Sequence, residues 1–154
     1  MPAAPKQVYH IFIRATPEQI WDAITKPEFT AKYFYGSIVE TSGEMGTAIK
    51  HYAPDGLTLW SDDHIIESDP PHRLVHSWTA LYDPELAVEP PTRVTWELDE
   101  QPGGVTKVTL VHDDLDGSPK TAAHVAGGWM FILSGLKTVL ETGTALSTRS
   151  TGGD

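Results

Sequence analysis

The chain opens with an alternating segment followed by two short segments of helical periodicity. Residues 7–14 alternate apolar and polar positions and are rich in Val, Ile, Tyr and Phe, which predicts a β-strand. Residues 16–19 read Thr-Pro-Glu-Gln, a capping box with proline at the first helical position, and they predict a short helix. A second short helix is predicted from Pro27 to about Phe34.

From residue 36 to residue 113 the pattern changes to short strands separated by turn sequences. Strands are predicted at 37–41, 47–52, 62–68, 73–79, 92–99 and 106–112. Turns rich in glycine and proline separate them, for example Pro54-Asp55-Gly56 and Asp69-Pro70-Pro71. Residues 82–91 contain several prolines and are predicted to form a longer loop.

The last apolar segment, residues 120–142, has helical periodicity with two adjacent glycines in its middle. Ser118-Pro119 predicts the start of this helix and Gly143 its end. Each of Gly127 and Gly128 costs about 0.5–1 kcal/mol relative to alanine in a helix interior. This cost needs a compensating benefit, and the expected benefit is space. Because glycine has no Cβ atom, the helix can approach a strand closely at these positions or leave space for a ligand beside Trp129. The apolar positions are Val125, Trp129, Ile132, Leu133, Leu136, Val139 and Leu140.

This order of elements predicts the α+β class. A run of strands closed by one helix favours an antiparallel sheet of about six to seven strands, curved around the long C-terminal helix. A single domain is expected over residues 7–146, with flexible termini at 1–6 and 147–154. A gap between such a sheet and its helix is the kind of apolar space that small molecules occupy.

Composition narrows the classes of function. The formal net charge is −10, so the surface is acidic, which argues against nucleic-acid binding and against docking on anionic membranes. The absence of cysteine excludes disulfides, thiolate catalysis and zinc–sulfur sites. No apolar run is expected to span a membrane, and the N-terminus lacks the apolar core of a signal peptide. The expected location is the cytoplasm.

Three motifs resemble one known family. They are IRATPEQIWDAITKPE (13–28), ESDPPHRLVHSW (67–78) and VAGGWMFILSGLKTVLETG (125–143). In this order they resemble the START-like (SRPBCC) superfamily, in the branch named for activators of the heat-shock-protein ATPase. The resemblance extends over residues 7–143 and implies a helix-grip fold with a hydrophobic cavity between the sheet and the long helix. It does not imply a ligand or a reaction. No additional N-terminal domain like that of the chaperone-regulator prototype is expected here, and so a chaperone partner is not expected.

The histidines and acidic residues are weak candidates for chemistry. Seven histidines are present, but no pair has the spacing of HExxH or a related metal motif, so no metal or cofactor is predicted. His112-Asp113-Asp114 ends the last strand near the expected cavity mouth, where it forms either an acid–base pair or an acidic turn; the turn is favoured. His76 alternates with Leu74 and Trp78, so it is either a hydrogen-bonded core histidine or a group that orients a ligand; the core role is favoured.

The aromatic residues are stronger candidates for a ligand site. Tryptophans occur on strand faces that are expected to point inward and on the stripe of the long helix, and Tyr33, Tyr35 and Trp60 belong to the same aromatic set. Core packing explains most of them, since aromatic residues dominate cores, and two or three are expected also to touch a ligand. The predicted ligand-binding residues are Phe34, His76, Trp78, Trp96, His112, Val125, Gly128, Trp129, Ile132 and Leu133.

Three hypotheses for function follow. The first is a small cytosolic protein that encloses a hydrophobic or aromatic small molecule, with no catalytic residues. The second is an enzyme, a cyclase, hydrolase or dehydratase, that uses the same cavity with His76, His112 and Asp113 as acid–base groups. The third is a partner-binding module that regulates a chaperone or a transcription regulator, which requires an exposed apolar patch. Exposed edge strands also favour a homodimer.

Overall fold

The computed structural model describes residues 6–147; most of the two predicted flexible termini lies outside these residues. The elements follow the predicted order of one strand, two short helices, a run of strands and one long helix. They are β1 Gln7–Ile13, α1 Pro17–Thr25, α2 Pro27–Tyr33, β2 Ile38–Thr41, β3 Ala48–Tyr52, β4 Leu59–Asp69, β5 Arg73–Trp78, α3 Pro84–Ala87, β6 Thr92–Gln101, β7 Val105–Asp113 and α4 Pro119–Thr142.

All seven strands form one antiparallel sheet in the order β1-β7-β6-β5-β4-β3-β2. The first and last strands along the chain are neighbours, because β1 pairs with β7 along its whole length. The apolar stripe of α4 is buried against the inward face of the sheet, and α1 and α2 cover the remaining side. This arrangement confirms the predicted α+β class and the helix-grip architecture.

The helix caps predicted from the sequence are present at the start of α1 and at the end of α4. In the capping box, the Gln19 backbone N–H donates to Thr16 Oγ1, and the Thr16 N–H donates to Gln19 Oε1. At the other end of the chain, Gly143 ends α4 in the left-handed conformation, with a φ of 81°. These caps set where the first and last helices begin and end.

Most predicted strands differ from the observed ones by one or two residues at an end, and two larger differences affect the site. A single helical turn, α3, lies within residues 82–91, because the Asp83 carboxylate accepts a hydrogen bond from the Glu85 backbone N–H and Pro84 takes the first helical position. Strand β4 begins at Leu59, three residues before the predicted start, so Trp60 lies in a strand. Both differences lie beside the site described below.

The buried stripe of α4 forms much of the core, although α4 also meets a membrane-span criterion. An 18-residue window of this helix has a mean hydropathy of 1.2, so the expectation that no segment is long and apolar enough does not hold. Helices in globular cores pass the same test, and this helix buries Val125, Trp129, Ile132, Leu133 and Leu136 in the fold.

A third glycine in α4, Gly135, lies in close contact with Tyr33 at the end of α2. A Cβ added to Gly135 would lie 3.1 Å from Tyr33 Cβ and 3.5 Å from its carbonyl oxygen, whereas one added to Gly127 would meet nothing within 4 Å. The absence of a side chain at Gly135 therefore lets α2 lie directly on α4. This contact holds the end of α2, and the residues that follow it, against the helix.

We expect Gly135→Leu to lower the free energy of unfolding by about 2–3 kcal/mol, because the larger side chain overpacks the contact with α2. The matched change Gly127→Leu lies on the exposed side of α4 and is expected to raise it by about 0.5–1 kcal/mol through helix propensity. Urea unfolding followed by far-ultraviolet circular dichroism measures both. Equal effects of the two substitutions would contradict the close approach.

Candidate ligand-binding cavity

A cavity of about 500 Å³ lies between the inward face of the sheet and α4. This volume is within the range of about 300–1,000 Å³ that is usual for small-molecule sites. Strands β3, β4 and β5, helix α4 and the segment after α2 contribute its walls. The lining residues are Phe34, Tyr35, Ser37, His51, Trp60, Ser61, Trp78, Thr79, Tyr82, His124, Val125, Gly128, Trp129 and Ile132.

Trp129 is the centre of the aromatic wall. It lies on the buried stripe of α4 and is 2% exposed. Its ring meets the rings of Trp96 and Phe34 edge to face, with centroids 5.8 Å and 6.0 Å apart. Edge-to-face contacts are the favoured geometry of aromatic pairs, so these three side chains form a rigid apolar surface.

Gly128 supplies room at the side of the cavity. A Cβ at this position would lie 3.4 Å from the Tyr35 hydroxyl, so glycine allows that hydroxyl to approach the helix. The Tyr35 ring stacks on Phe131, with centroids 5.6 Å apart, and Tyr35 itself has a φ of 56°. Of the two adjacent glycines, only Gly128 lies on the cavity, while Gly127 is exposed.

Two buried tryptophan–histidine pairs support the wall from behind. Trp129 Nε1 donates to His112 Nδ1 at 2.9 Å, so a neutral His112 carries its proton on Nε2, 2.6 Å from Thr92 Oγ1. Trp96 Nε1 donates to His76 Nε2 at 3.2 Å, and His76 Nδ1 lies 2.7 Å from the Ser77 carbonyl oxygen. Burial lowers the pKa of both histidines to about 4, so both are neutral at pH 7.

His51 is a third neutral histidine, and it lines the cavity itself. Its ring stacks on Phe34 with centroids 4.9 Å apart, and its Nδ1 lies 3.3 Å from Ser61 Oγ. Burial first, and then the neighbouring His76, lower the pKa of His51 to about 3. The ring is therefore a neutral hydrogen-bonding group and not a cation.

A smaller cavity of about 20 Å³ shares part of this lining and reaches the buried carboxyl group of Asp63. Ser77 Oγ donates to Asp63 Oδ1 at 2.8 Å, and the backbone and hydroxyl of Thr79 donate to Oδ2 at 3.3 Å. Burial raises the pKa of Asp63 to about 7, although these hydrogen bonds lower it. The space is large enough for one water molecule.

The cavity meets the solvent at Tyr82 and His124, two exposed side chains of its lining. The Tyr82 hydroxyl and His124 Nε2 are 2.7 Å apart, so the segment before α3 is joined to α4 across the opening. The Tyr82 ring also meets Trp60 edge to face, at 6.0 Å. These contacts close one side of the entrance.

The structure places the ten predicted ligand-binding residues in three groups. Six of them line the main cavity and two line the smaller one, which Phe34, Trp78 and Trp129 also reach. Leu133 and His112 line neither cavity; both are buried, and His112 is hydrogen-bonded to Trp129. The main-cavity group is Phe34, Trp78, Val125, Gly128, Trp129 and Ile132, and the smaller-cavity group is His76 and Trp96.

His112 does not lie at the mouth where the sequence places it. The inward face of β7 includes His112, which is 0% exposed and is enclosed by Trp78, Trp129 and Thr92. Its neighbour Asp113 points to the opposite face of the sheet, where both carboxylate oxygens accept hydrogen bonds from Arg93 at 2.8 Å. The two adjacent residues therefore cannot act together.

Most of the polar residues that line the cavity are not among the predicted ligand-binding residues. Ser37 and His51 lie on the inward face of their strand pair, and the alternation of neighbouring buried residues is the signal that could have found them. Tyr82 and His124 come together only in the fold, 42 residues apart in the chain. Among residues 6–147, no group of three His, Asp or Glu side chains is arranged to hold a metal ion.

A curved antiparallel sheet around a long C-terminal helix, with an aromatic cavity between them, defines a START-like protein of the helix-grip class. The family described as activator of Hsp90 ATPase homolog 1-like protein matches residues 14–141, and the chain belongs to this family. A comparison with curated proteins gave no match.

Solved structures with this fold share little sequence identity with the chain. SSP2350 from Staphylococcus saprophyticus superposes with a TM-score of 0.72 at 20% identity, covering 93% of this chain and 96% of that protein. The Aha1 dimer from Colwellia psychrerythraea gives 0.71 at 21% identity, covering 91% and 98%. DynU16, from the dynemicin biosynthetic locus, gives 0.72 at 20% identity over 91% of this chain. The chain spans about half the length of DynU16, at 48%.

Proposed function

We propose that this protein binds a hydrophobic or aromatic small molecule in the cavity between its sheet and α4, and that it does so in the cytoplasm. The observation that carries the proposal is the cavity of about 500 Å³ with aromatic walls around Trp129. Each 100 Å² of apolar ligand surface removed from water contributes about 2.5 kcal/mol. The polar groups of the lining then orient the bound molecule.

The catalytic alternative is not supported by the geometry of its three candidate residues. His76 and His112 each accept a hydrogen bond from a tryptophan and are neutral at pH 7. Asp113 is paired with Arg93 on the other face of the sheet. A general acid and a general base must reach one substrate from one cavity, and these three side chains do not.

The only protein partner that we propose is a second copy of the same chain, in a homodimer. Strands β1 and β2 are the two edges of the sheet, and an edge offers unpaired backbone groups to a second copy. The dimeric Aha1 structure from Colwellia psychrerythraea shows that a protein of this fold assembles in pairs. The exposed apolar side chains of the described residues are spread over β1, β4, several turns and α4, which does not favour a chaperone-binding patch.

Binding is tested with the neutral fluorescent probe N-phenyl-1-naphthylamine. We expect saturable binding to the wild type, and at least tenfold weaker binding to Gly128→Phe, because the added ring fills the space beside Tyr35. The matched control is Gly127→Phe, whose side chain points to open space and leaves the affinity within twofold. Circular dichroism verifies that each variant is folded.

A second blocking variant, Ile132→Phe, keeps the test decisive if Gly128→Phe fails to fold, because Ile132 also lines the cavity. Native mass spectrometry of freshly purified protein, before and after denaturation, asks whether a small molecule co-purifies. Absence of probe binding to the wild type, or equal binding to the Gly127 and Gly128 variants, would contradict the proposed site.

A further inference from the structure

One buried polar atom of the cavity wall has no hydrogen-bond partner. Ser37 is 0% exposed. Among the buried side-chain oxygen and nitrogen atoms of residues 6–147, Ser37 Oγ is the one without a hydrogen-bond partner. Buried hydroxyl groups are nearly always hydrogen-bonded, because an unpaired one has lost its bonds to water without replacement. Ser37 lines the main cavity, so a molecule inside the cavity is within reach of this hydroxyl.

A second polar group lies close to Ser37 on the same face of the sheet. Ser37 immediately precedes β2, whose Val39 is paired with His51 of β3. Residues 37 and 39 both face inward, so Ser37 and His51 are diagonal neighbours on the cavity wall. His51 Nδ1 contacts Ser61 Oγ, and the structure gives the other ring nitrogen, Nε2, no partner among the residues it describes.

Within the part of the chain that is described, the main cavity has no charged Lys, Arg, Asp or Glu side chain in its lining, and Asp63 belongs to the smaller cavity only. A carboxylate or an ammonium group would therefore lose its hydration without an opposite charge, which is strongly unfavourable. A serine hydroxyl and an imidazole ring nitrogen can instead serve a neutral group that donates or accepts a hydrogen bond.

We infer that the ligand is a neutral molecule with an aromatic or polycyclic apolar body and a hydroxyl or carbonyl group that binds Ser37 Oγ and His51 Nε2. This inference rests on the proposed function and adds the chemical class of the ligand. The apolar body lies against Trp129 and Phe34, which form the aromatic wall. The polar group supplies the hydrogen-bond partner that Ser37 Oγ lacks among the described residues.

Three compounds of equal ring size test this inference by displacing N-phenyl-1-naphthylamine: naphthalene, 2-naphthol and 2-naphthoate. The wild type is expected to bind 2-naphthoate at least tenfold more weakly than 2-naphthol, because the cavity lacks a cation. Ser37→Ala is expected to weaken 2-naphthol binding about fivefold, the loss of one neutral hydrogen bond, while naphthalene changes less than twofold. Ser134→Ala, an exposed serine of α4, is the matched control and is expected to change neither.

His51→Phe provides an independent variant, because it keeps a planar ring against Phe34 and removes both ring nitrogens. It is also expected to weaken 2-naphthol binding more than naphthalene binding. The inference is overturned if 2-naphthol affinity is the same in wild type, Ser37→Ala and His51→Phe, or if 2-naphthoate binds as tightly as 2-naphthol. In both cases naphthalene still binds. Failure of all three compounds and of the probe to bind would instead reject the proposed function, and the inference with it.

Discussion

Replacing Trp129 with alanine is expected to lower the free energy of unfolding by about 5 kcal/mol. Removal of a buried tryptophan side chain costs about 3–5 kcal/mol through lost burial and the space left behind. A further cost of about 1–3 kcal/mol arises because His112 Nδ1 loses the indole N–H that donates to it and remains buried. Urea unfolding followed by circular dichroism measures the sum.

Two variants separate these contributions. Trp129→Phe keeps an aromatic ring and removes the indole N–H donor, so we expect an intermediate loss of about 2–3 kcal/mol. Met130→Ala, at the next and exposed position of α4, is expected to change the free energy of unfolding by less than about 0.5 kcal/mol. A loss below 2 kcal/mol for Trp129→Ala would show that Trp129 is not the centre of the core.

The second large effect is a loss of stability on acidification. His51, His76 and His112 have folded-state pKa values of about 3, 4 and 4, below the ordinary value near 6.5. Between pH 6.5 and pH 4 the unfolded chain therefore binds protons that the folded protein does not, and stability falls as the pH falls. The hydrogen bonds agree, because a protonated His112 would direct an N–H toward the Trp129 N–H.

Asp63 opposes this trend over part of the same range. Its folded-state pKa of about 7 lies above the ordinary value of 3.8, so the folded protein binds its proton first and gains stability as the pH falls from 7 toward 4. The stability lost through the three histidines is larger than the stability gained through the one carboxyl group. The net expectation is a decrease in the free energy of unfolding of about 3 kcal/mol between pH 7 and pH 5.

Urea titrations at pH 7, 6 and 5 measure this decrease. His112→Gln, which cannot take up a proton in this range, is expected to have a smaller slope of stability against pH than the wild type. His10→Gln, at an exposed position of β1, is the control and is expected to keep the wild-type slope. Equal stability of the wild type at pH 7 and pH 5 would contradict the assignment of three neutral histidines with lowered pKa values.

The fold was predictable because its signals are local. The capping box at Thr16, the Pro-Gly turns and the apolar stripe of α4 each depend on residues within one or two turns of each other. The confirmed α+β class and family resemblance follow from the order of these elements. The single turn of α3 was missed because one capping aspartate within a proline-containing loop is a weak signal.

The candidate site was less predictable, because it depends on contacts between distant parts of the chain. The sequence shows that His112 ends a strand, but only the fold shows that Trp129 donates to it from α4. The sequence also predicts that Gly128 lies at the ligand site, but it gives no sign that Gly135 lies against α2. An unpaired hydroxyl such as Ser37 is visible only when every neighbour is known.

The placement of the tryptophans suits intrinsic fluorescence as a readout of ligand binding. Three of the five indoles, Trp60, Trp78 and Trp129, lie in the cavity wall, so a molecule bound there, as proposed, would change the surroundings of their rings and shift their emission. Fractions of a metabolite mixture could therefore be screened against the unlabelled protein. A shift of the tryptophan emission would identify the fraction that contains a ligand.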